Sequence, residues 1–311
     1  MKPRFSDFVR MTEMATQKKI KVKKKKKIKS GYPVAKERVY AEFIKSIIKP
    51  FTVFIDRVVI PNMGELKSRY DQEEFFYPEE MLPGSFDLVI RGGVPGVVKS
   101  MNDIEKIIFE KNAGKLKARL EEFGYDLWDD NLDFFQGWIR DITGVLPPID
   151  LTGRDSMVEL FVEQNTNLIK GLSQELQKNT STIISQGIQE GKSINEIADS
   201  LRGISDRFEG YRANLIARDQ VSSYWGDLER RKQKEIGVEL YIWRTAQDER
   251  VRDSHEVLEG MFCKWDDVSV YSEDGKEWRS RGSIGAVEKH PGNDFNCRCY
   301  AEPVLSFLLE D

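Results

Sequence analysis

A chain of 311 residues with 40% hydrophobic and 11% aromatic side chains can bury the cores of two modest domains, which excludes wholesale disorder. No segment approaches the run of about twenty apolar residues that crosses a bilayer, and Met1–Met14 has no signal-peptide core. Three cysteines, an odd count, fit a reducing cytoplasm better than a disulfide framework, and the net charge of -4 hides a strongly basic block inside an otherwise acidic chain.

That block is Lys18, Lys19, Lys21, Lys23, Lys24, Lys25, Lys26, Lys27 and Lys29. Like-charge repulsion opposes packing it as helix or strand, so residues 1–31 are expected to be a disordered, flexible basic tail. Its partner would be a polyanion, either nucleic acid or an acidic protein surface; the plainer alternative is a solvated tail that aids solubility.

Residues 32–148 read as a mixed region of helices. Val39–Ile48 has helical spacing and is expected to stop at Pro50. Phe86–Ile90, ending in Arg91-Gly92-Gly93, reads as a short extended piece. Ile104, Ile107, Ile108, Leu116 and Leu120 mark an amphipathic helix with a break at Gly124. The aromatic cluster from Phe123 to Trp138 reads as core rather than as a ligand site. Pro147-Pro148 makes a hinge, because neither ring fits a helix interior.

Residues 149–236 form a helical segment. Val158, Phe161, Val162, Leu168, Ile169, Leu172, Leu176 and Ile183 give one apolar face that ends near Gly191. Ser193-Ile194-Asn195-Glu196 fits a capping box for the next helix. A third helix is expected from about Glu209 to Glu235, stopping at Gly237. Val238–Thr245 then reads as a strand. The fold class that follows is α+β and mainly helical, with long helices leading into a small loop-rich α+β module at 237–311.

Both histidines and all three cysteines lie in that module: His255, Cys263, His290, Cys297 and Cys299. Imidazole and thiolate gathered together favour zinc in a structural role. The expected ligands are His255, His290, Cys297 and Cys299, with Cys263 a doubtful fifth. On an ideal strand the sulfurs of Cys297 and Cys299 would share a face yet sit too far apart for one tetrahedral ion. The turn Pro291-Gly292-Asn293-Asp294 offers a way to bring His290 back towards them. The competing reading is a compact module whose His and Cys are simply buried and hydrogen-bonded. Asp248, Arg250, Arg252, Asp253 and His255 form a second polar group, suited to acid–base chemistry or to an ion-paired turn. No nucleophile elbow or phosphate loop accompanies it.

Trp243-Arg244-Thr245-Ala246-Gln247-Asp248-Glu249-Arg250-Val251-Arg252-Asp253-Ser254-His255, then Leu258-Glu259-Gly260, His290-Pro291 and Asn296-Cys297-Arg298-Cys299, resemble the signature of the phage head morphogenesis family, the Mu F-like minor head proteins. Glu163–Lys170, Gly187–Ser193 and Arg212–Arg218 follow the family's order, so the resemblance spans Met157–Leu305. The chain departs from the family's usual Thr-Glu at Asp219-Gln220. The resemblance implies a non-enzymatic minor capsid protein, made in the host cytoplasm and carried in the virion. Its implied partners are the portal, other capsid or scaffolding proteins and, through the basic tail, packaged DNA, with no membrane partner. The alternative it leaves open is a metal-dependent nuclease- or toxin-like enzyme acting on nucleic acid. A plain DNA-binding protein ranks last, for want of a groove-reading motif.

Overall fold

The computed structural model describes residues 31–71 and 92–305. The Lys block and the extended piece at Phe86–Ile90 lie outside the described residues. The described chain is mainly helical and ends in one antiparallel sheet, as the α+β reading requires. It divides into two compact units. One draws on the described residues up to Lys36, Phe123–Val158 and Arg218 onward; the other on Glu37–Glu122 and Glu159–Ala217.

Helix α1 (Val34–Phe54) does not stop at Pro50 but carries it inside. A proline in a helix interior costs about 3 kcal/mol. Ile44, Ile47, Ile48 and Phe51 are all buried along one face, and burying each large apolar side chain returns roughly 1.5–3 kcal/mol. The packing therefore wins, and the backbone relaxes only afterwards, in a π turn (Ile55–Val59) and a 3-10 turn (Ile60–Asn62) that lead into α2 (Met63–Asp71). Within the same unit, the Tyr40 hydroxyl donates to Asn165 Oδ1 at 2.6 Å, and Lys49 pairs with Glu209 at 3.0 Å.

Helix α3 (Gly93–Lys106) ends in a second π turn (Ile107–Lys111), and α4 (Ala113–Thr143) follows. The break expected at Gly124 is absent and lies near Asn112 instead. Leu116, Leu120, Phe123, Leu127, Trp128, Phe135 and Ile139 continue one buried stripe past Gly124. Glycine's helix penalty of about 1 kcal/mol does not interrupt so long an apolar face. Gly144, with φ of 73°, caps α4, and Pro147-Pro148 lie in the irregular link to α5 (Arg154–Gln189). The capping box forms at the start of α6 (Ile194–Arg207): Ser193 N donates to Glu196 at 2.8 Å, and Glu196 N donates back to Ser193 Oγ at 3.3 Å. A third π turn (Phe208–Arg212) then opens α7 (Ala213–Glu235).

The sheet comprises β1 (Leu240–Arg244), β2 (Phe262–Lys264), β3 (Val270–Ser272), β4 (Arg279–Ser280) and β5 (Tyr300–Val304), in the order β4-β3-β2-β1-β5. A one-turn helix α8 (Asp253–Glu256) lies between β1 and β2, and a 3-10 turn (Arg281–Ile284) follows β4. Strand β1 pairs Tyr241 with Cys263 on one side and with Pro303 on the other. Its alternation buries Tyr241 and Trp243, which join Phe135 and Ile139 of α4 in one core with Cys263, Trp265, Cys297 and Cys299. The aromatic cluster on α4 is thus core on this side, as its composition implied.

Two ionisable groups on α7 share that interior. Lys232 Nζ donates to Asn131 Oδ1 at 2.7 Å and lies 4.7 Å from the Trp128 ring centre, and burial brings its pKa down to about 7. Glu229 accepts from Trp225 Nε1 at 2.9 Å, and burial pushes its carboxyl up to about 7. Each is tuned towards its neutral form, which lightens the desolvation of a buried charge.

Candidate metal centre

His255, Cys297 and Cys299 converge, with candidate donor atoms within 4.8 Å of one another. His255 Nδ1 lies 3.5 Å from each sulfur. Only 2%, 3% and 8% of the three residues is exposed, so a bound ion would be shielded from water on the protein side.

Local chain geometry explains the convergence. The pair does not sit in a strand, because β5 begins only at Tyr300. Asn296 takes a left-handed conformation, with φ of 53°, and Cys297 N donates to Asp294 O at 2.9 Å. Cys299 N then donates to Cys297 Sγ at 3.4 Å, which folds the second thiol back beside the first. A turn thus removes the spacing objection that a strand would raise.

Helix α7 holds this loop along one face. Asp219 Oδ1 accepts from Asn296 N at 2.8 Å, the Ser222 hydroxyl donates to the Cys297 carbonyl, and Asp227 accepts from Asn293 Nδ2 at 2.9 Å. Between them Gly226 meets the Pro291–Gly292 backbone directly. Asp219, which replaces the residue usual in the family, has a contact of its own here. On the other side Trp243 packs edge-on against His255, with ring centres 5.7 Å apart and planes at 82°.

Around the imidazole the far nitrogen is also engaged. His255 Nε2 lies 3.0 Å from Asp294 Oδ2, and Asp294 also pairs with Arg252 at 2.6 Å and Lys289 at 2.9 Å. Burial alone would raise the Asp294 carboxyl, but the bonds from Lys289 and His255 and the charge of Arg252 pull it down to about 2. The two thiols titrate as a pair: a hydrogen bond from Cys299 favours an ionised Cys297 sulfur despite burial, and Cys299 is pushed up in turn.

His290 does not join the cluster. Its Nδ1 lies 3.2 Å from the Tyr241 hydroxyl, which itself accepts from Arg281 Nη2 at 3.1 Å, and its ring centre is 5.0 Å from that of Trp265. The turn after it delivers Asp294 to His255 rather than delivering His290 to the thiols. Cys263 is buried elsewhere in the core, its sulfur 3.8 Å from the Met261 carbonyl. The second polar group also divides. Asp248 pairs with Arg298 at 2.5 Å, whereas Arg252 and His255 turn to Asp294. Of the other motif residues, Thr245 is tied through its N and Oγ1 to Glu259, at 2.6 and 2.8 Å, just before the tight turn at Gly260 with φ of 79°. Arg250 donates its backbone N to Asp248 at 3.2 Å, and Pro291 is buried against α7. Sequence reading assigned no role to Asp294, Asp219, Ser222 or Arg281. Asp294 carried a signal as the last residue of the turn before the CxC pair, and Asp219 only as a departure from the family's usual residues.

Burial, followed by the charges of Arg230, Arg281 and Lys234, lowers the His290 pKa to about 3. The unfolded chain binds this proton below about 6.5 and the folded chain does not, so stability is lost as pH falls from 6.5 towards 3. After allowance for screening, the expected loss is roughly 2 kcal/mol. His290→Gln keeps an acceptor for Tyr241 and removes the titration. Urea midpoints at pH 7.5 and pH 4 should therefore fall further for the native chain than for the variant, and parallel falls would refute the assignment.

A mainly helical chain whose last part is a five-stranded antiparallel module carrying a buried His/Cys/Cys cluster is the class that fold and site define. Residues 178–302 match the model of the family described as Phage Mu protein F like protein. An uncharacterized protein of Haemophilus influenzae is 29% identical over 148 residues, covering 48% of this chain and 29% of that protein. An uncharacterized protein of Methanocaldococcus jannaschii is 30% identical over 80 residues, covering 26% of this chain and 12% of its own length. The chain thus spans less than a third of either relative. No solved structure matches. Among the described residues no helix is long and apolar enough to cross a membrane.

Proposed function

We propose that this chain is a structural minor head protein of a tailed bacteriophage, bound at the portal and acting in procapsid assembly and DNA packaging. One observation carries the reading: the Mu F-like match covers 178–302, the stretch that holds α6, α7, strands β1–β4, the start of β5 and the His/Cys/Cys cluster. The portal and the other capsid or scaffolding proteins are its partners, and the virion is its destination. It should be found in purified phage heads and should co-purify with the portal protein when the two are co-expressed. Absence from purified heads would overturn the reading.

The basic segment at residues 1–31 meets DNA through Lys18, Lys19, Lys21, Lys23, Lys24, Lys25, Lys26, Lys27 and Lys29. Each phosphate neutralised adds about 0.9 to the slope of log affinity against log salt. Replacing Lys23–Lys27 with Gln should flatten that slope by several units in a titration with duplex DNA. An unchanged slope would sink the assignment.

The cluster holds a structural zinc through His255, Cys297 and Cys299. A buried imidazole and two thiols suit a soft-to-borderline divalent ion and not magnesium or calcium. Zinc would supply folding free energy to a small loop-rich module. A metal-dependent enzyme is the second reading, favoured by the donor count, since three protein ligands are also the pattern of catalytic zinc. In that case His255→Ala abolishes an activity on nucleic acid while the melting temperature stays unchanged; a structural zinc predicts a lowered melting temperature.

A further inference from the structure

An imidazole ligates a metal through a nitrogen that carries no proton, so the partner of its other nitrogen decides whether it is ready to bind. His255 presents Nδ1 to both sulfurs, at 3.5 Å each, and Nε2 to Asp294 Oδ2 and Arg252 Nη2, at 3.0 Å each. A guanidinium only donates, so Arg252 and Asp294 make opposite demands on Nε2. The pairing of Arg252 with Asp294 at 2.6 Å resolves the conflict. Arg252 gives its N–H to the carboxylate, and the same carboxylate oxygen accepts from Nε2–H. For a neutral imidazole this proton placement satisfies all three groups, and it leaves the Nδ1 lone pair facing Cys297 and Cys299.

We infer that Asp294 is the positioning residue of the metal centre: it fixes the His255 tautomer that directs Nδ1 at the two thiols, while its place on the loop held by α7 ties that tautomer to the position of Cys297. Asp294 is suited to the task. Its carboxylate is only 18% exposed, it is anchored by Lys289 at 2.9 Å through the oxygen that His255 does not use, and its own carbonyl accepts from Cys297 N at 2.9 Å. One short loop therefore carries a thiol donor and the orienter of the imidazole donor. A shift of the loop would disturb both at once.

The inference rests on the reading that the cluster holds a metal, and the test separates the two. The chain has only two histidines, so long-range proton–nitrogen spectra of the full-length protein contain only two imidazoles. In metal-free protein near pH 8, the His255 ring should carry its proton on Nε2; a proton on Nδ1 overturns the inference whether or not any metal binds. The second measurement is zinc affinity in competition with a chromophoric chelator, with cobalt absorption reporting thiolate ligation. Asp294→Ala should weaken zinc binding by about 10–100-fold. Asp294→Asn, which keeps one acceptor oxygen for Nε2–H but loses the charge, should fall between. A role limited to ion pairing with Arg252 and Lys289 predicts instead that Asn is as damaging as Ala, and that ranking overturns the inference, as does native affinity in Asp294→Ala. Failure of the native chain to take up one equivalent of zinc overturns the metal reading itself, while the tautomer spectrum still judges the placement of the proton.

Discussion

Arg281→Met should destabilise the unit that contains the sheet by about 4 kcal/mol, read as a fall in the denaturant midpoint at constant slope. Arg281 is fully buried. Its guanidinium donates to the carbonyls of Val270 at 3.1 Å, Val287 at 3.1 Å and Lys289 at 2.9 Å, and to the Tyr241 hydroxyl at 3.1 Å. It also lies 5.5 Å from the centre of the Trp243 ring. Replacing a buried ion pair whole by apolar groups is often harmless, because both partners leave together. Here the acceptors are backbone carbonyls that stay behind. Each one left unpaired costs about 1–3 kcal/mol, and the methionine recovers only part of the sum through its own burial. Arg281→Lys should fall between, since one ammonium cannot span acceptors on β3, on the 287–289 loop and on β1. A loss below about 1 kcal/mol for the methionine variant would mean that water replaces the guanidinium, which the burial of the site argues against.

Helical periodicity was readable because it depends on neighbours in sequence. Most of the apolar stripe of α5, the capping box at Ser193 and Glu196, and the strand at Val238–Thr245 appear close to where local spacing puts them, although Leu168 of that stripe is exposed and Ile183 only half-buried. The readings that failed were those in which a single residue was given authority over a stretch. Pro50 and Gly124 each carry a penalty of a few kcal/mol or less, and a long buried face on either side outweighs it. The site divides in the same way. That histidine and cysteine cluster in the last part of the chain is visible in composition, yet which of them meet is set by contacts between positions far apart in sequence. His290 differs from His255 because the Tyr241 hydroxyl, itself held by Arg281, meets its Nδ1, and no local pattern around residue 290 encodes that. Asp219 and Asp294 lie 75 residues apart, yet the first holds the loop through Asn296 N and the second, on the loop itself, meets His255.

Gly226→Ala sets a local rule against a long-range one. Intrinsic helix propensity alone favours alanine over glycine within α7 by about 1 kcal/mol. Against it, a Cβ at 226 would lie 2.6 Å from the Pro291 carbonyl oxygen and 3.3 Å from Gly292 Cα. Both are backbone atoms, with no flexible side chain to move aside. Overpacking of this kind costs about 1–3 kcal/mol, and lifting the loop off α7 would also strain the bonds from Ser222 and Asp227. The clash wins, and the expected net loss is about 3 kcal/mol. Gly203 in α6 supplies the control, because a Cβ there meets nothing within 4 Å; Gly203→Ala should be stabilising by roughly 0.5–1 kcal/mol. Gly292→Ala probes the same contact from the loop side, where φ is 86° and a Cβ would lie 2.8 Å from the Ser222 carbonyl. It should be at least as damaging as Gly226→Ala, because backbone strain adds to the clash. If α7 is the rail that sets the loop, both substitutions should also weaken zinc binding while Gly203→Ala leaves it alone. Equal zinc affinity in all three variants would separate the fit of the loop on α7 from the assembly of His255, Cys297 and Cys299.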